Sequence, residues 1–325
     1  MHEFVSIIIA NYNGKIYLDK CLLSLKNTKY SNFEIIVVDN NSSDGSISMI
    51  RQIYPYVKLI ELKQNLGFGA SSNLGAKEAK GHFYVFLNND TIVTTPWLQE
   101  LVRALTEEKT GPVAIAQSFL LRQDGNVDSS GDFIDRFGRS YSSLLKNPPV
   151  GREILSARAA CMIVRKELFW KLGGFDEEFF VSYEDVHLGW KAWIAGYRVV
   201  LASNSVVYHL AGQTVQRLKS TINFHSMKNQ TCTILLDFEF PLGIKSLFLL
   251  FPSYLPAINI RRKDVYNSNV YSNPILLTDI LKTLFWISRH SLSLFRKYRQ
   301  ISRMRVRSTN DLAKMGLITH DLNEK

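Results

Sequence analysis

The first 110 residues alternate between two hydrophobic patterns. A continuous apolar β-branched run, typical of a strand buried on both faces, occupies Val5–Ala10. A second buried strand is predicted at Phe33–Asp39, a third strand at Val57–Glu61 and a fourth at Phe83–Leu87. Apolar residues at helical spacing occupy the stretches between them, Tyr17–Leu25, Ile47–Ile53 and Gly69–Ala79. This alternation predicts an α/β fold with an open, mostly parallel sheet and helices on both faces.

The remainder of the chain divides into three regions. Residues 111–156 show turns and short strand patterns, whereas residues 157–210 return to regular elements. These are helices at Lys166–Lys171 and Asp185–Ala195, a strand at Arg198–Leu201 and a short segment at Val206–His209. Beyond residue 215 the chain is amphipathic, aromatic and basic. We therefore expect a domain over residues 1–230 and a helical, basic extension over residues 231–325.

The composition is that of a globular protein, with 46% hydrophobic and 21% charged residues, which excludes disorder. The net charge of +10 is unevenly placed. Residues 241–307 contain 12 Lys and Arg against two acidic residues, while the first 240 contain 25 basic and 24 acidic residues.

The stretches Ile244–Leu250 and Ile280–Phe295 combine apolar and basic positions, which is typical of an element lying in a membrane interface. The alternatives are a solvated helical subdomain and a homo-oligomer contact. We expect no nucleic-acid binding, because the positive charge is the only feature of the sequence that favours it.

The cysteines, Cys21, Cys161 and Cys232, are far apart and match neither a metal-binding nor a disulfide spacing. The N-terminus lacks a signal-peptide pattern, and the chain has no apolar run of about 18 residues. We therefore expect a cytoplasmic protein, peripheral at the inner face of the cell membrane.

Polar residues follow four consecutive predicted strands. They are Asn11, Asp39, Asn65 and the triplet Asn88-Asn89-Asp90. Each alone is typical of a turn, but together they predict a ligand crevice at the carboxyl ends of the strands. No glycine-rich phosphate loop is present, so a divalent cation, Mg²⁺ or Mn²⁺, is the expected neutraliser of phosphate charge. Asp90 is a suitable oxygen ligand, and His209 is a second candidate, although a lone histidine after a strand is more often structural.

Seven motifs in order carry a resemblance to a known family. They are Val5–Gly14, Phe33–Gly45, Asn65–Gly69, Leu87–Thr91, Gly173–Phe180, Tyr183–Asp185 and Val207–His209. Over about residues 4–230 the chain resembles the family 2 glycosyltransferases, in the branch that contains rhamnosyltransferase-like enzymes. The resemblance implies a GT-A fold, a nucleotide-diphosphate sugar donor and transfer to an acceptor hydroxyl with inversion.

The resemblance also implies roles for individual residues. The donor would be bound by Ala10, Asn11, Tyr12, Asp39, Asp44, Asn65, Gly67, Asn88 and Asn89. Asn88-Asn89-Asp90 matches the family's Asp-x-Asp element with Asn in the first position, so Asp90 would supply most of the metal binding. His209 matches a metal-contacting histidine of the family.

The acceptor hydroxyl must lose its proton during the transfer, so a carboxylate is needed as general base. Glu184-Asp185 opens a predicted helix; alone, the pair is typical of a helix N-terminus. With the loop Gly173–Phe180 before it, the resemblance favours Asp185 as the base and Glu184 as a residue that shapes the acceptor site. His187 stands where family members usually have another acid, a departure that bears on acceptor recognition.

Aromatic residues around this motif have two interpretations. Phe175, Phe179 and Phe180 are either part of the acceptor mouth or core anchors. Trp190 and Trp193 are expected to pack in the core rather than to stack on a sugar.

These inferences predict a metal-dependent inverting glycosyltransferase of surface polysaccharide synthesis. The expected donor is dTDP-rhamnose, with UDP-hexoses as alternatives, and the expected acceptor is a glycan or lipid-linked glycan. The competing function is a non-catalytic glycan- or nucleotide-binding scaffold on the same fold. The set Asp39, Asp90, Asp185 and His209 favours the enzyme.

Overall fold

The structure is a computed structural model that describes residues 3–107, 111–210, 222–240, 242–254 and 277–319. In chain order its elements are β1 (Val5–Asn11), α1 (Lys15–Leu25), β2 (Phe33–Asp39), α2 (Ser46–Ile53), β3 (Lys58–Glu61), α3 (Gly67–Lys77), β4 (Phe83–Leu87), β5 (Thr91–Val93), α4 (Trp97–Thr106), β6 (Val113–Leu121), β7 (Val127–Ser129), β8 (Asp132–Asp135), β9 (Ser140–Ser142), β10 (Cys161–Arg165), α5 (Lys166–Lys171), α6 (Glu184–Ile194), β11 (Arg198–His209), α7 (Ile222–Asp237), α8 (Leu242–Tyr254), α9 (Leu277–Met304), α10 (Thr309–Lys314) and β12 (Ile318–Thr319).

A nine-stranded mixed sheet forms the centre of the molecule, in the order β3-β2-β1-β4-β10-β6-β11-β5, with β7 paired to β6. The predicted βα units form its first half, where β3, β2, β1 and β4 are all parallel. In the second half β10 is antiparallel to both β4 and β6, whereas β11 is parallel to β6. The predicted α/β class is confirmed, and the sheet is mixed because β10, β5 and β7 pair antiparallel with their neighbours.

Two hydrophobic clusters cover the two faces of this sheet. Because successive side chains of a strand point to opposite faces, Ile7 and Ile9 join the cluster that contains Leu18 of α1 and Trp97 of α4. Ile8 joins the other cluster, with Trp190 of α6. Both Trp190 and Trp193 are fully buried, which confirms that they pack in the core.

The C-terminal part of the chain packs against the same core. Cys232 of α7, Leu294 of α9 and Leu312 of α10 belong to the cluster that contains Trp190. The last strand, β12, pairs with β8 and completes a three-stranded sheet with β9. Residue 230 lies inside α7, so the predicted boundary between residues 230 and 231 falls within a helix. The division into a domain and an extension stays a prediction.

The predicted amphipathic stretches are helical. Ile244–Leu250 lies in α8, and Ile280–Phe295 lies in α9. Three of the basic residues, Arg261, Arg262 and Lys263, lie outside the described residues. Among the residues that the structure describes, no helix combines the length and the apolarity needed to cross a bilayer.

Candidate active site

One edge of the central sheet gathers the polar residues predicted at strand ends. In parallel pairing, Asn11 at the end of β1 lies beside Asp39 at the end of β2, and β4 ends at the same edge. The antiparallel strand β10 begins there, because Cys161 pairs with Leu87. The ends of β6 and β11 also meet, with Tyr208 opposite Leu121. Carboxyl ends of strands and the residues before β10 therefore converge on one crevice.

Asn11 is the centre of a hydrogen-bond network at the crevice floor. Its Nδ2 donates to Asp39 Oδ2 at 2.8 Å, and Asn89 Nδ2 donates to its Oδ1 at 2.7 Å. The other carboxylate oxygen of Asp39 accepts from the Ser42 amide at 2.7 Å. Asp39 is 0% exposed, so in this conformation its carboxylate orders the loops that follow β1 and β2. Its contact with a donor stays a prediction.

The remaining residues predicted to bind the donor lie around this floor with different exposures. Tyr12 is exposed, and Ala10 and Asn88 are half-buried. Asp44 is exposed; its Oδ2 accepts from the Lys15 amide at 2.8 Å, and its Oδ1 accepts from the Ser46 amide at 3.0 Å. Partial burial raises the pKa of Asp44, but the hydrogen bonds from Ser46 and Lys15 outweigh it and the net pKa is lowered. Asp44 thus fixes the starts of α1 and α2.

Asn65 and Gly67 join the crevice to the loop Gly173–Phe180. Asn65 Oδ1 accepts from the Gly67 amide at 2.9 Å, and the Phe180 carbonyl accepts from the Phe68 amide at 3.0 Å. Gly67 has a positive φ of 80°, and a Cβ there would lie 2.2 Å from the Phe180 carbonyl oxygen. Only glycine fits this close approach, which holds the predicted acceptor loop against the residues predicted to bind the donor.

Asp90 and His209 lie together at the crevice. His209 Nε2 is 3.4 Å from Asp90 Oδ1, and its Nδ1 is 2.9 Å from Asp128 Oδ2. Burial disfavours the charged imidazole, but hydrogen bonds and charges from Asp128 and Asp90 raise the pKa of His209 to about 9. The two carboxylates therefore stabilise positive charge on the imidazole that lies between them.

This arrangement fits a divalent cation. A carboxylate oxygen and an imidazole nitrogen are ligands that Mn²⁺ and Mg²⁺ sites use, and a carboxylate on the far nitrogen is the usual second contact of a ligating histidine. Within the described ranges no group of three or more His, Cys, Asp and Glu side chains forms a ready-made cluster. A cation held by Asp90 and His209 would take its other ligands from substrate phosphates or water.

Arg158 connects the Asp90–His209 pair to the predicted base. Its Nη1 lies 3.1 Å from Asp128 Oδ2, and its Nε lies 3.2 Å from Asp132 Oδ2. Burial lowers the pKa of a guanidinium, but here the charges of Asp132, Asp128 and Asp185 more than compensate and raise the pKa of Arg158. The next residue, Ala159, donates its amide to Asp185 Oδ2 at 3.1 Å. One short segment before β10 therefore contacts Asp185 directly and the Asp90–His209 pair through Asp128.

Glu184 and Asp185 begin α6, and their two carboxyl groups differ. Burial, and next the charge of Asp132, raise the pKa of Asp185, although the Ala159 amide and Arg158 oppose this shift. Burial and the charge of Asp185 raise the pKa of Glu184 well above its ordinary value. Glu184 is 7% exposed, and its Oε2 has no hydrogen-bond partner in the described part of the chain. Burial therefore favours the neutral form of Glu184 more strongly than that of Asp185, which keeps the Ala159 amide and Arg158 as stabilising contacts.

A strained turn aims Asp185. Ser182 and Tyr183, with φ of 68° and 70°, are consecutive non-glycine residues in the left-handed region, which costs free energy unless neighbours hold it. Asn229 of α7 donates its side-chain amide to the carbonyls of Val181 and Ser182, at 2.8 and 2.7 Å. Helix α7 therefore holds the turn from which the predicted base projects.

The aromatic residues of the acceptor loop divide between core and surface. Phe175 and Phe179 are buried core anchors, whereas Phe180 is half-buried and stacks on His225 with ring centroids 5.2 Å apart. His187 is 2% exposed, and its Nδ1 lies 2.8 Å from Asp237 Oδ2. It therefore connects α6 to α7, and in this conformation it does not face an acceptor.

Sequence reasoning missed Asp128, Asp132 and Arg158. All three lie in or beside residues 111–156, for which the sequence predicted only turns and short strands. The sequence feature that could have indicated them is the pair of carboxylates in the short stretch Val127–Asp132, together with a later arginine. Their partnership is non-local, since 30 residues separate Asp128 from Arg158.

Comparisons with known proteins agree with this architecture. The sequence profile described as glycosyl transferase family 2 matches residues 6–173, just over half of the chain. O-antigen biosynthesis protein RfbC of Myxococcus xanthus is 34% identical over 199 residues, which are 57% of this chain and 15% of RfbC. The chain thus spans a small part of that relative.

A second relative is an N-acetylglucosaminyl-diphospho-decaprenol L-rhamnosyltransferase of Mycobacterium tuberculosis, 27% identical over 241 residues, 66% of this chain and 78% of the relative. Among solved structures, the mannosyltransferase PcManGT of Pyrobaculum calidifontis, in complex with GDP-Man and Mn²⁺, matches with a TM-score of 0.56 at 17% identity, over 94% of this chain and 84% of that one. This likeness confirms the predicted GT-A fold. By the profile match, the chain belongs to glycosyl transferase family 2.

Proposed function

We propose that this chain transfers one sugar from a nucleotide-diphosphate sugar to a hydroxyl group of a glycan or lipid-linked glycan acceptor, with inversion at the anomeric carbon. The observation that carries the proposal is the contact path through Asp128, Arg158 and Ala159 between the Asp90–His209 pair and Asp185. A site for a diphosphate-bound cation and a candidate general base thus lie on one crevice of a family 2 fold.

The chemistry requires charge stabilisation at two points. Asp185 accepts the proton of the acceptor hydroxyl. At the same time the hydroxyl oxygen attacks the anomeric carbon, and the bond from that carbon to the nucleoside diphosphate breaks. Held by Asp90 and His209, Mg²⁺ or Mn²⁺ would neutralise negative charge on the departing diphosphate. Attack from the side opposite the leaving group inverts the anomeric centre in a single displacement. Glu184, whose pKa burial raises, shapes the acceptor side.

The proposed donor is dTDP-rhamnose, with UDP-hexoses as alternatives, and the proposed pathway is surface polysaccharide synthesis. The support for rhamnose is the mycobacterial relative named as a rhamnosyltransferase, and the support for the pathway is the similarity to RfbC. The name of the rhamnosyltransferase includes a diphospho-decaprenol glycan, which favours a lipid-linked acceptor and a position at the inner membrane face.

A donor panel tests this function. Purified full chain is incubated with dTDP-rhamnose, UDP-hexoses and GDP-mannose, each with Mg²⁺, Mn²⁺ or EDTA. The nucleotide diphosphate released by transfer of the sugar to water is then measured. We expect release from one donor, dTDP-rhamnose, and its loss in EDTA and in Asp90→Ala. Absence of turnover across the panel, combined with tight calorimetric binding of a nucleotide or glycan, would instead support the non-catalytic scaffold.

Asn229→Ala tests the positioning of the base. Without the two hydrogen bonds to Val181 and Ser182 the strained turn relaxes, so we expect kcat to fall roughly 10- to 100-fold, as misplaced catalytic groups do, with an unchanged donor KM. Steady-state kinetics on the active donor measure both constants. The matched control is Gln230→Ala on the same helix, which removes a 2.8 Å hydrogen bond to the Phe137 carbonyl. Equal losses of kcat in the two variants would show a general effect of helix α7 and not positioning.

A further inference from the structure

Helix α9 has an outward face that is both apolar and exposed. Six large hydrophobic side chains on this helix are between 45% and 68% exposed: Leu277, Leu281, Leu284, Phe285, Leu292 and Phe295. With 3.6 residues per turn, their positions fall within an arc of about 100° along one side of the helix. This stripe, called here the outer face of α9, is an amphipathic pattern directed away from the protein core.

Basic residues border the outer face. Lys282, Arg289, Arg296, Arg299 and Arg303 are all exposed. The first three follow the apolar stripe along one side, and the last two continue it toward the C-terminal end of the helix. The acidic residue within α9, Asp279, is buried. The exposed surface of α9 therefore combines apolar side chains and positive charge.

The opposite face of α9 is fixed to the protein. Lys297 Nζ lies 2.7 Å from Asp176 Oδ2 and 2.9 Å from Glu178 Oε2, both in the loop Gly173–Phe180. Ile280, Leu294 and Ile301 are buried in the core on that side. The helix therefore needs no rearrangement to expose its outer face, and it is joined directly to the loop that we place on the acceptor side.

We propose that the outer face of α9 binds an anionic phospholipid bilayer, with its apolar side chains in the interface and its basic side chains on the headgroups. Charge complementarity selects this occupant: arginine and lysine beside leucine and phenylalanine match anionic headgroups above acyl chains. A helix of 28 residues is about 42 Å long, and its apolar stripe from Leu277 to Phe295 offers about 27 Å of that length to the bilayer plane. Docking in this way would bring the Lys297-linked loop to the surface where a lipid-linked acceptor lies.

Vesicle flotation of the full chain tests the proposal without any sugar donor, so its failure would leave the proposed transferase activity untouched. Vesicles of phosphatidylcholine alone are compared with vesicles that also contain phosphatidylglycerol, at low and high salt. We expect binding to the anionic vesicles and weaker binding to the neutral ones. High salt should weaken binding by screening the charges, while apolar contact retains part of the chain on the vesicles.

Two variants separate charge from apolar contact. Arg289→Glu with Arg296→Glu is expected to weaken binding to anionic vesicles by roughly 25-fold or more, since each cation near such a surface contributes about five-fold. Leu281→Ser with Phe285→Ser and Leu292→Ser is expected to abolish retention at high salt. Exposed residues elsewhere supply the controls, Lys77→Glu with Lys80→Glu for charge, and Leu23→Ser with Ile53→Ser for apolar area.

Three outcomes would overturn the proposal. The first is failure of the full chain to float with anionic vesicles. The second is equal weakening by the α9 variants and by their controls. The third is a dimer in light scattering that the Leu281, Phe285 and Leu292 substitutions convert to monomer without changing flotation, which would make the outer face a contact between two copies.

Discussion

Asp185→Asn is expected to lower kcat for glycosyl transfer by roughly 10²- to 10⁴-fold, the range that loss of a general base produces. The amide keeps the size of the side chain, so its oxygen can still accept from the Ala159 amide, but it cannot take the proton of the acceptor hydroxyl. Donor binding rests on other residues, so we expect a nearly unchanged donor KM. Initial rates with the donor identified by the panel measure both constants.

The pH dependence of the wild type gives an independent readout. The base acts only when ionised, so kcat/KM falls as the pH drops through the pKa of Asp185 in the folded protein. Burial and the charge of Asp132 raise that pKa above the ordinary 3.8, so the acid limb of the profile is expected at a higher pH than an exposed aspartate would give. Asp124→Asn, an equivalent change in an exposed turn, is the control for both measurements.

Comparison with Glu184→Gln decides which carboxyl group is the base. Gln resembles the neutral form of Glu184, so this change is expected to cost less activity than Asp185→Asn and to leave the acid limb in place. A larger loss in Glu184→Gln than in Asp185→Asn would reverse the assignment.

The first half of the fold could be predicted from the sequence because its strands are short apolar segments that alternate with stretches of helical spacing. Predicted Phe33–Asp39 coincides with β2, and predicted Phe83–Leu87 coincides with β4. The second half was harder because its pairing is non-local. Strand β10 (Cys161–Arg165) was not predicted, although it is the strand that joins β4 to β6.

Two other elements show how the prediction fell short. Helix α4 (Trp97–Thr106) was not predicted, although its buried residues Leu98, Leu101 and Leu105 have helical spacing. Strand β11 runs unbroken from Arg198 to His209, whereas the sequence suggested two pieces. The register with β6 shifts between Ala202 and Val206, which interrupts the in-and-out alternation of side chains along the strand. This shift explains the apparent break in the sequence pattern.

The candidate site was predictable where its residues follow strands and not where they depend on tertiary contacts. Asn11, Asp39 and Asn89 could be grouped because parallel strands end at a common edge, and the structure joins them by hydrogen bonds. No local pattern brings Asn229 to the turn at Ser182, because helix α7 reaches it only through the packing of the chain.

Arg158→Met is expected to destabilise the protein by about 3–5 kcal/mol, the cost of leaving buried carboxylates without their counter-ion. Asp128 and Asp132, each 7% exposed as side chains, would lose the guanidinium between them. Arg158 also opposes the rise in the pKa of Asp185, so its loss should move the acid limb of any remaining activity to higher pH. Urea unfolding at pH 7 measures the stability, and the pH profile of kcat/KM measures the second effect.

Two further substitutions show whether the loss of stability in Arg158→Met comes from burial of the ion pairs. Arg122→Met removes an arginine whose Nε is 3.5 Å from the same Asp128 carboxylate but whose side chain is 40% exposed. The Arg122 side chain is more exposed than that of Arg158, which is 25% exposed, and its ion pair with Asp128 is longer. Its loss should therefore cost about 1 kcal/mol or less and leave the acid limb in place. Arg158→Lys keeps the charge but cannot contact Asp128 and Asp132 with one planar fork, so an intermediate loss is expected. If Arg122→Met and Arg158→Met destabilise equally, Arg158 is an ordinary surface cation, and the link between the Asp90–His209 pair and Asp185 is not held by its charge.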